Sequence, residues 1–305
     1  MIIDRISFLP ANENDIDRLL SNMPESERAE ALEIINYYLS IDGGSSSFAF
    51  AFSSGALLVR VFNGAEYFFA FPHLVSEKSD MGSAIEECVR YAALEEIEPV
   101  FAGVPSDEVG VFFALGYRHI NADSGSPESD TYRITIKNEC AFVEEYPNAS
   151  DSSLSLSSFR DTDKTDYARL CRDEENNKYW GYDFREDYDG CADVFFLELA
   201  AREFALSSAL SFAIRAENTF VGEALLSCFD FKGGADISIR ILPEHQKKGY
   251  AKRALSLLLT IAEKIGLLTL YARVDSRNLP SISLFSKDAD ESFEEGSVAI
   301  FKYLL

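Results

Sequence analysis

Basic residues are scarce in this chain: 28 Lys and Arg stand against 51 Asp and Glu, a formal net charge of −23 over 305 residues. That balance argues against nucleic acid or an anionic membrane surface as a partner, because both require a basic footprint. Long apolar runs are also missing. No stretch reaches the length of a membrane span, and Met1 to Pro10 carries Asp4 and Arg5 without the apolar core of a signal peptide. A cytoplasmic protein without membrane contact is the expectation. The five cysteines, Cys88, Cys140, Cys171, Cys191 and Cys228, are odd in number and scattered, with no C-x-x-C pair. Free thiols packed as small apolar residues therefore fit better than disulfides or zinc. His73, His119 and His245 are isolated and read as structural; no metal is expected, and no Ser-His-Asp or Cys-His arrangement is visible. Two phosphate-loop signatures are absent as well, Gly-Lys-Ser/Thr and Gly-x-Gly-x-x-Gly, which removes nucleotide P-loop and dinucleotide folds.

What the chain does contain is enough apolar material for two cores: 47% hydrophobic residues, with 13% aromatic. Residues 4 to 40 show mixed 3–4 apolar spacing, broken at Pro24, which predicts two helices. Residues 45–51, 55–62 and 66–74 then read as a strand meander, with Asn63-Gly64 as the stronger hairpin signal. A helix over 81–96, a strand over 99–104, a helix over 106–115 and a strand near 130–136 follow. Pro147 to Ser153 is a short polar linker, so domains 1–147 and 148–305 are expected. The second opens with a strand at 154–159, a helix capped by Asp161-Thr162-Asp163, a helix over 192–205, and paired strands at 209–215 and 220–229.

The most informative stretch is 237–264. Asp236-Ile237-Ser238-Ile239-Arg240-Ile241-Leu242 alternates as a half-buried strand and stops at Pro243. From Ala251, apolar residues recur at helical spacing through Ile265, with Gly266 as the stop. Gln246-Lys247-Lys248-Gly249-Tyr250-Ala251 thus joins a strand end to a helix start. Free N–H groups and the helix dipole make such a junction an anion site, Gly249 lets a phosphate approach, and Lys247, Lys248, Lys252 and Arg253 add positive charge. The basic residues are unevenly placed: 9 basic against 25 acidic in residues 1–147, but 19 against 26 in 148–305.

Gln-x-x-Gly-x-Ala between strand and helix resembles the acyl-CoA pyrophosphate loop of the GNAT N-acetyltransferase superfamily, in the branch that includes ribosomal-protein N-terminal acetyltransferases. Phe220 to Leu226 upstream, Leu268 to Val274 downstream, and Asp275-Ser276-Arg277-Asn278 before a helix over 280–287 match the order of that family's second half. The resemblance implies an α/β (α+β) fold with a mixed, mostly antiparallel central sheet flanked by helices. It implies acetyl-CoA as cosubstrate, with the backbone of Ile239, Arg240 and Ile241 on the pantetheine arm. Gln246, Lys247, Lys248, Gly249, Tyr250 and Ala251 would hold the pyrophosphate, and Asn278 and Ser281 would meet the CoA arm. The first half repeats the strand and helix order without the loop, since residues 76–82 carry Glu77 and Asp80 instead. It reads either as a degenerate GNAT-like lobe without CoA or as an unrelated α+β domain.

Acetyl transfer to an amine needs a base, for which Glu223 and Asp236 are candidates, although an exposed strand carboxylate is the plainer reading of each. Where many family members have a tyrosine acid, this chain has Phe285; Ser283 or water substitutes, or positioning alone suffices. The Gly-Phe that usually follows is replaced by 288–293. Trp180 and Tyr182 fall where the family lines its acceptor side, or anchor a loop onto the core. The expected partner is a small-molecule or peptide amine, and a homodimer is left open. Two alternatives remain: a CoA-binding regulator without catalysis, and a tandem-lobe aminoacyl-transferring enzyme of the peptidoglycan-bridge type, against which an acidic chain with an intact CoA loop argues.

Overall fold

The computed structural model describes residues 48–51, 57–62, 66–71, 81–94, 98–124, 131–180 and 191–305. The expected helices over 4–40, the loop at 76–80 and Tyr182 lie outside them. The chain divides between Asn138 and Glu139 into two compact units. That division precedes the expected linker, because Cys140 and Tyr146 already pack into the core of the second unit.

In the first unit, strands β1 (Phe48–Ala51), β2 (Leu57–Phe62) and β3 (Glu66–Phe71) form an antiparallel meander. Helix α1 (Met81–Leu94) leads into β4 (Pro99–Pro105), which runs parallel to β3 through Phe68↔Pro99 to Ala70↔Phe101. After α2 (Val109–Ala114), β5 (His119–Ser124) and β6 (Thr131–Lys137) make a hairpin that joins the sheet through β6, giving the order β1-β2-β3-β4-β6-β5. Strand β5 is not expected from the sequence: HINADS is polar and lies at the sheet edge, with four exposed residues.

The second unit opens with β7 (Ala149–Ser150) and β8 (Leu154–Ser157). Helices α3 (Lys164–Arg172), α4 (Glu174–Asn177) and α5 (Ala192–Ala205) follow. Then come β9 (Leu210–Ala216), β10 (Thr219–Ser227) and β11 (Gly234–Ile241). Helix α6 (Tyr250–Lys264), β12 (Thr269–Asp275), α7 (Leu279–Phe285), β13 (Glu291–Glu295) and β14 (Val298–Leu304) complete it. The sheet order is β13-β14-β12-β11-β10-β9-β8-β7. Every residue of β9 is buried, since helices cover both sheet faces. On one side, Leu255, Leu258 and Ile261 of α6 meet Ala235, Ile237 and Ile241 of β11 in one core. Each such side chain contributes about 1.5–3 kcal/mol by leaving water. On the other side, Tyr167, Leu170 and Phe196 of α3 and α5 pack with Phe220. Arg215 of β9, 1% exposed, pairs with Asp163 at the start of α3 and donates to Ser157 Oγ (2.6 Å) and Ser158 O (3.0 Å), which ties that helix to the sheet.

Both units share one connectivity: three antiparallel strands, a helix, a parallel strand, a short helix and an antiparallel hairpin. The two mixed, mostly antiparallel sheets flanked by helices are those the sequence leads one to expect. In the second unit the parallel partners β11 and β12 pair only from Gly234↔Thr269 to Asp236↔Tyr271. Beyond that point, no pairing joins them, and a cleft opens.

Candidate active site

The cleft measures about 830 Å³ and is lined by β11 residues 237–241, the loop into α6, the end of β12, α7, and the stretch from Glu175 to Trp180. Its floor follows from strand alternation. Ala235, Ile237 and Ile241 face α6, whereas Asp236, Ser238 and Arg240 face the opposite side, as do Tyr271, Arg273 and Asp275 by register. The Ile241 carbonyl points into the opening, where it accepts from Gln246 Nε2 (3.1 Å) and Asn176 Nδ2 (3.1 Å). With a period of two, the N–H and C=O of Ile239 face the same opening and have no strand partner there.

The loop takes its shape from two left-handed residues, Lys247 (φ 59°) and Gly249 (φ 81°). The α6 ladder begins at Arg253 N–H to Gly249 O (3.3 Å), so the N–H groups of Tyr250, Ala251 and Lys252 stand ahead of it. A Cβ built on Gly249 meets nothing within 4 Å, which leaves that side of the turn open to a ligand. Gln246 does not reach outward: its amide also donates to Asn176 Oδ1 (2.9 Å), so it holds the loop against α4. Lys247 and Lys252 line the cleft. The side chains of two of the expected cations lie off the cleft wall. Lys248 is exposed off the cleft wall, and Arg253 turns away to pair with Asp151 and to donate to Ser153 Oγ (2.9 Å). On the far wall, Asn278 caps α7 by accepting from Ser281 N–H (3.3 Å), and Ser281 and Ser283 line the cleft.

Two strand carboxylates, both base candidates, have different fates. Glu223, 2% exposed, accepts from Tyr167 OH (2.7 Å) with one oxygen and from Arg240 Nε (2.7 Å) with the other, and it does not line the cleft. Its place is beneath the site, balancing a buried arginine. Burial and the neighbouring Glu223 hold the Tyr167 hydroxyl well above its usual range, so it stays a donor. Arg240 further donates to Asn177 Oδ1 and to Cys171 Sγ (3.0 Å), and its guanidinium carbon lies 4.1 Å from the centroid of Trp180. Burial pushes the Cys171 thiol up to about 12, which keeps it a neutral thiol rather than a nucleophilic thiolate. This network, which sequence inspection missed, fixes Trp180 on the cleft wall. The Glu223↔Arg240 register supplies one half of it, and the packing of α3 onto the sheet brings Tyr167 and Cys171, from some fifty residues earlier, to the other.

Asp236 stands at the other end of that face. Burial raises its carboxyl to about 6, against the lowering effect of Arg273, whose Nε donates to both of its oxygens (3.1 and 2.9 Å). Phe285 is buried, and its carbonyl accepts from the Tyr303 hydroxyl (2.6 Å), so that tyrosine is engaged below α7. Cys88, Cys140 and Cys171 are buried as expected, but Cys191 and Cys228 are exposed, at a helix start and in a turn. His245, expected to be structural, lines the cleft 6.4 Å from the ring of Tyr250. Among the described residues, no helix is long and apolar enough to cross a membrane, and no group of three His, Cys, Asp or Glu could hold a metal ion.

Comparison with known proteins agrees in region with this geometry. Residues 153–287 match the family model described as acetyltransferase (GNAT) domain. No curated protein matches the chain. Solved structures similar to it include the spermidine N-acetyltransferase of Vibrio cholerae in complex with CoA and spermine, at 22% identity and a TM-score of 0.41, covering 50% of this chain and 96% of that one. Another is RimL, a ribosomal L7/L12 alpha-N-protein acetyltransferase in complex with CoA, at 11% identity and a TM-score of 0.44, covering 52% and 97%. A third is an acetyltransferase from Agrobacterium tumefaciens, at 15% identity and a TM-score of 0.42, covering 53% and 96%.

Proposed function

We propose, from the premise that residues 153–287 carry an acetyltransferase domain of the GNAT family, that this protein transfers an acetyl group from acetyl-CoA to a primary amine by direct attack. The observation that supports it most is the loop at Gly249. An open left-handed glycine and unbonded N–H groups at the start of a long helix lie beside two parallel strands that separate. Helix N-termini of this kind hold phosphate oxygens, and an unpaired strand edge offers N–H and C=O groups to an amide-containing arm.

The residues divide the work as follows. The N–H groups at 247–252, with Lys247 and Lys252, hold the pyrophosphate. Ile239 offers both backbone groups to the pantetheine arm, while Ile241, whose carbonyl is already bonded by Gln246 and Asn176, offers its N–H. When bound, acetyl-CoA supplies the thioester whose acetyl group passes to the amine. An N–H fixed on β11 suits the oxygen of that thioester, because a preorganised donor needs no reorientation as charge develops. The amine must lose a proton. Glu223 is 2% exposed and occupied by Tyr167 and Arg240, so the proton falls to Asp236, which stands off the cleft wall against Arg273 with 22% of its side chain exposed and is reached through water, its carboxyl raised to about 6. A departing thiolate, with a pKa of about 8–9, needs no strong acid; it takes a proton from water, directly or relayed through the Ser283 hydroxyl on the cleft wall, which regains its own from that water.

Calorimetric titration of acetyl-CoA into the wild type and into Gly249→Glu tests the reading. Binding by the wild type that the variant loses, together with CoA release in the presence of amines, is expected. Binding without turnover of any amine would favour a CoA-binding regulator, and no binding would remove both readings.

A further inference from the structure

Arg273 is unused by the donor site, and its surroundings point to what the acceptor is. By register it shares a sheet face with Asp236, Ser238 and Arg240, and it lines the cleft with a third of its side chain exposed (33%). Its Nε is committed to both Asp236 oxygens (3.1 and 2.9 Å), and its guanidinium carbon stands 5.3 Å from the centroid of Tyr271. Those contacts hold the arm from one side only. The two terminal nitrogens make no hydrogen bond among the described residues, unlike those of Arg240, bonded to Glu223, Asn177 and Cys171, or of Arg277, bonded to Asp275. A guanidinium so held presents two parallel N–H groups end-on, the geometry that matches an oxyanion.

Position separates Arg273 from the phosphate loop. It is bonded to Asp236, which is five residues, or about 17 Å of strand, before the end of β11 that leads into that loop. The carboxylates lining the cleft among the described residues are Glu175 and Asp275, and Asp275 is held by Arg277 (2.7 Å). Asp236 balances the charge of Arg273 from behind, so what the wall offers a ligand there is the pair of terminal N–H donors.

We infer that Arg273 selects the acceptor: it binds a carboxylate or phosphate carried by the amine itself, so the substrate class is amino acids and related anionic amines rather than polyamines. This rests on the acetyltransferase reading above. The net charge of −23 pulls the other way, toward cationic amines. Contact outweighs it, because exposed charges beyond about 8 Å are screened at physiological ionic strength whereas Arg273 acts at hydrogen-bond distance.

The test uses the full chain, acetyl-CoA and matched acceptor pairs: β-alanine against β-alaninamide, γ-aminobutyrate against its amide, and 2-aminoethyl phosphate against ethanolamine, with spermidine as an amine lacking any anion. At least a tenfold advantage in kcat/KM for the anionic member of one or more pairs is expected, and which pair shows it tells carboxylate from phosphate. Arg273→Gln should abolish the advantage, and Arg273→Lys should restore part of it, while acetyl-CoA binding by calorimetry changes less than twofold in both. Equal use of acids and amides, turnover of spermidine alone, or no acceptance of any anionic member by protein that binds acetyl-CoA would overturn the inference and leave the donor site standing. Loss of acetyl-CoA binding in Arg273→Gln would overturn it by making Arg273 a donor contact. Absence of acetyl-CoA binding by the wild type is the separate failure of the acetyltransferase reading.

Discussion

Glu223 and Asp236 are strand carboxylates of similar appearance whose chemistry is set by what their neighbours donate. Glu223 meets a buried arginine and a buried tyrosine, and both of its oxygens are spent. Removing one partner of a buried ion pair typically costs about 3–5 kcal/mol, so its role is to keep Arg240 and Trp180 in place. Asp236 meets Arg273 alone among the described residues that hydrogen-bond to it, and burial raises its carboxyl to about 6. Because a base acts in its ionised form, kcat/KM of the wild type should rise with pH through about 6 and level above it. Asp236→Asn keeps an oxygen for Arg273 but cannot accept the proton. The variant should lose about 10²–10⁴-fold in rate and show no rise near pH 6, as a stopped assay across pH would show. An unchanged profile would move the base elsewhere. Residue identity alone named both candidates; register and burial separated them.

At the scale of elements, the donor site depends on how closely β10 approaches β11. The register of β10 shifts between Phe220 and Gly222, and a Cβ on Gly222 would lie 2.3 Å from the carbonyl oxygen of Arg240. No backbone atom can yield that far without the strands parting. Gly222→Ala should therefore destabilise the protein by about 1–3 kcal/mol, read as a lower urea midpoint. It should also weaken acetyl-CoA binding, because Ile239 and Ile241 move with the strand. The elements of this region were legible in the sequence. Helix α6 follows from apolar residues at 3–4 spacing ended by Gly266, and α5 runs over the expected 192–205. Strands β13 and β14 were not foreseen. ESFEE has no apolar face of its own, with four of its five residues exposed, and it becomes a strand only because it pairs with β14.

At the scale of the whole molecule, one connectivity is used twice, and the boundary lies before the polar linker. Tyr146 packs at a tilt against Phe204 (4.7 Å) and edge-on to Phe212 (5.6 Å) and donates its hydroxyl to the Ser211 carbonyl, so the segment 139–147 belongs to the second core. A fragment starting at Glu139 should be more stable than one starting at Asn148 by about 3–5 kcal/mol, the usual cost of deleting a large aromatic anchor, as denaturant unfolding would show. Equal stability would place Tyr146 outside the core. The sequence by itself determined the class of fold and singled out the loop at 246–251, because strand alternation, helical spacing and a Gln-x-x-Gly-x-Ala turn act over a few neighbouring residues. Only the tertiary structure decided that Glu223 is spent on Tyr167 and Arg240, which lysines and arginines face the cleft, and that the terminal nitrogens of Arg273 make no hydrogen bond among the described residues. Those outcomes depend on partners tens of residues away, and no local pattern carries them.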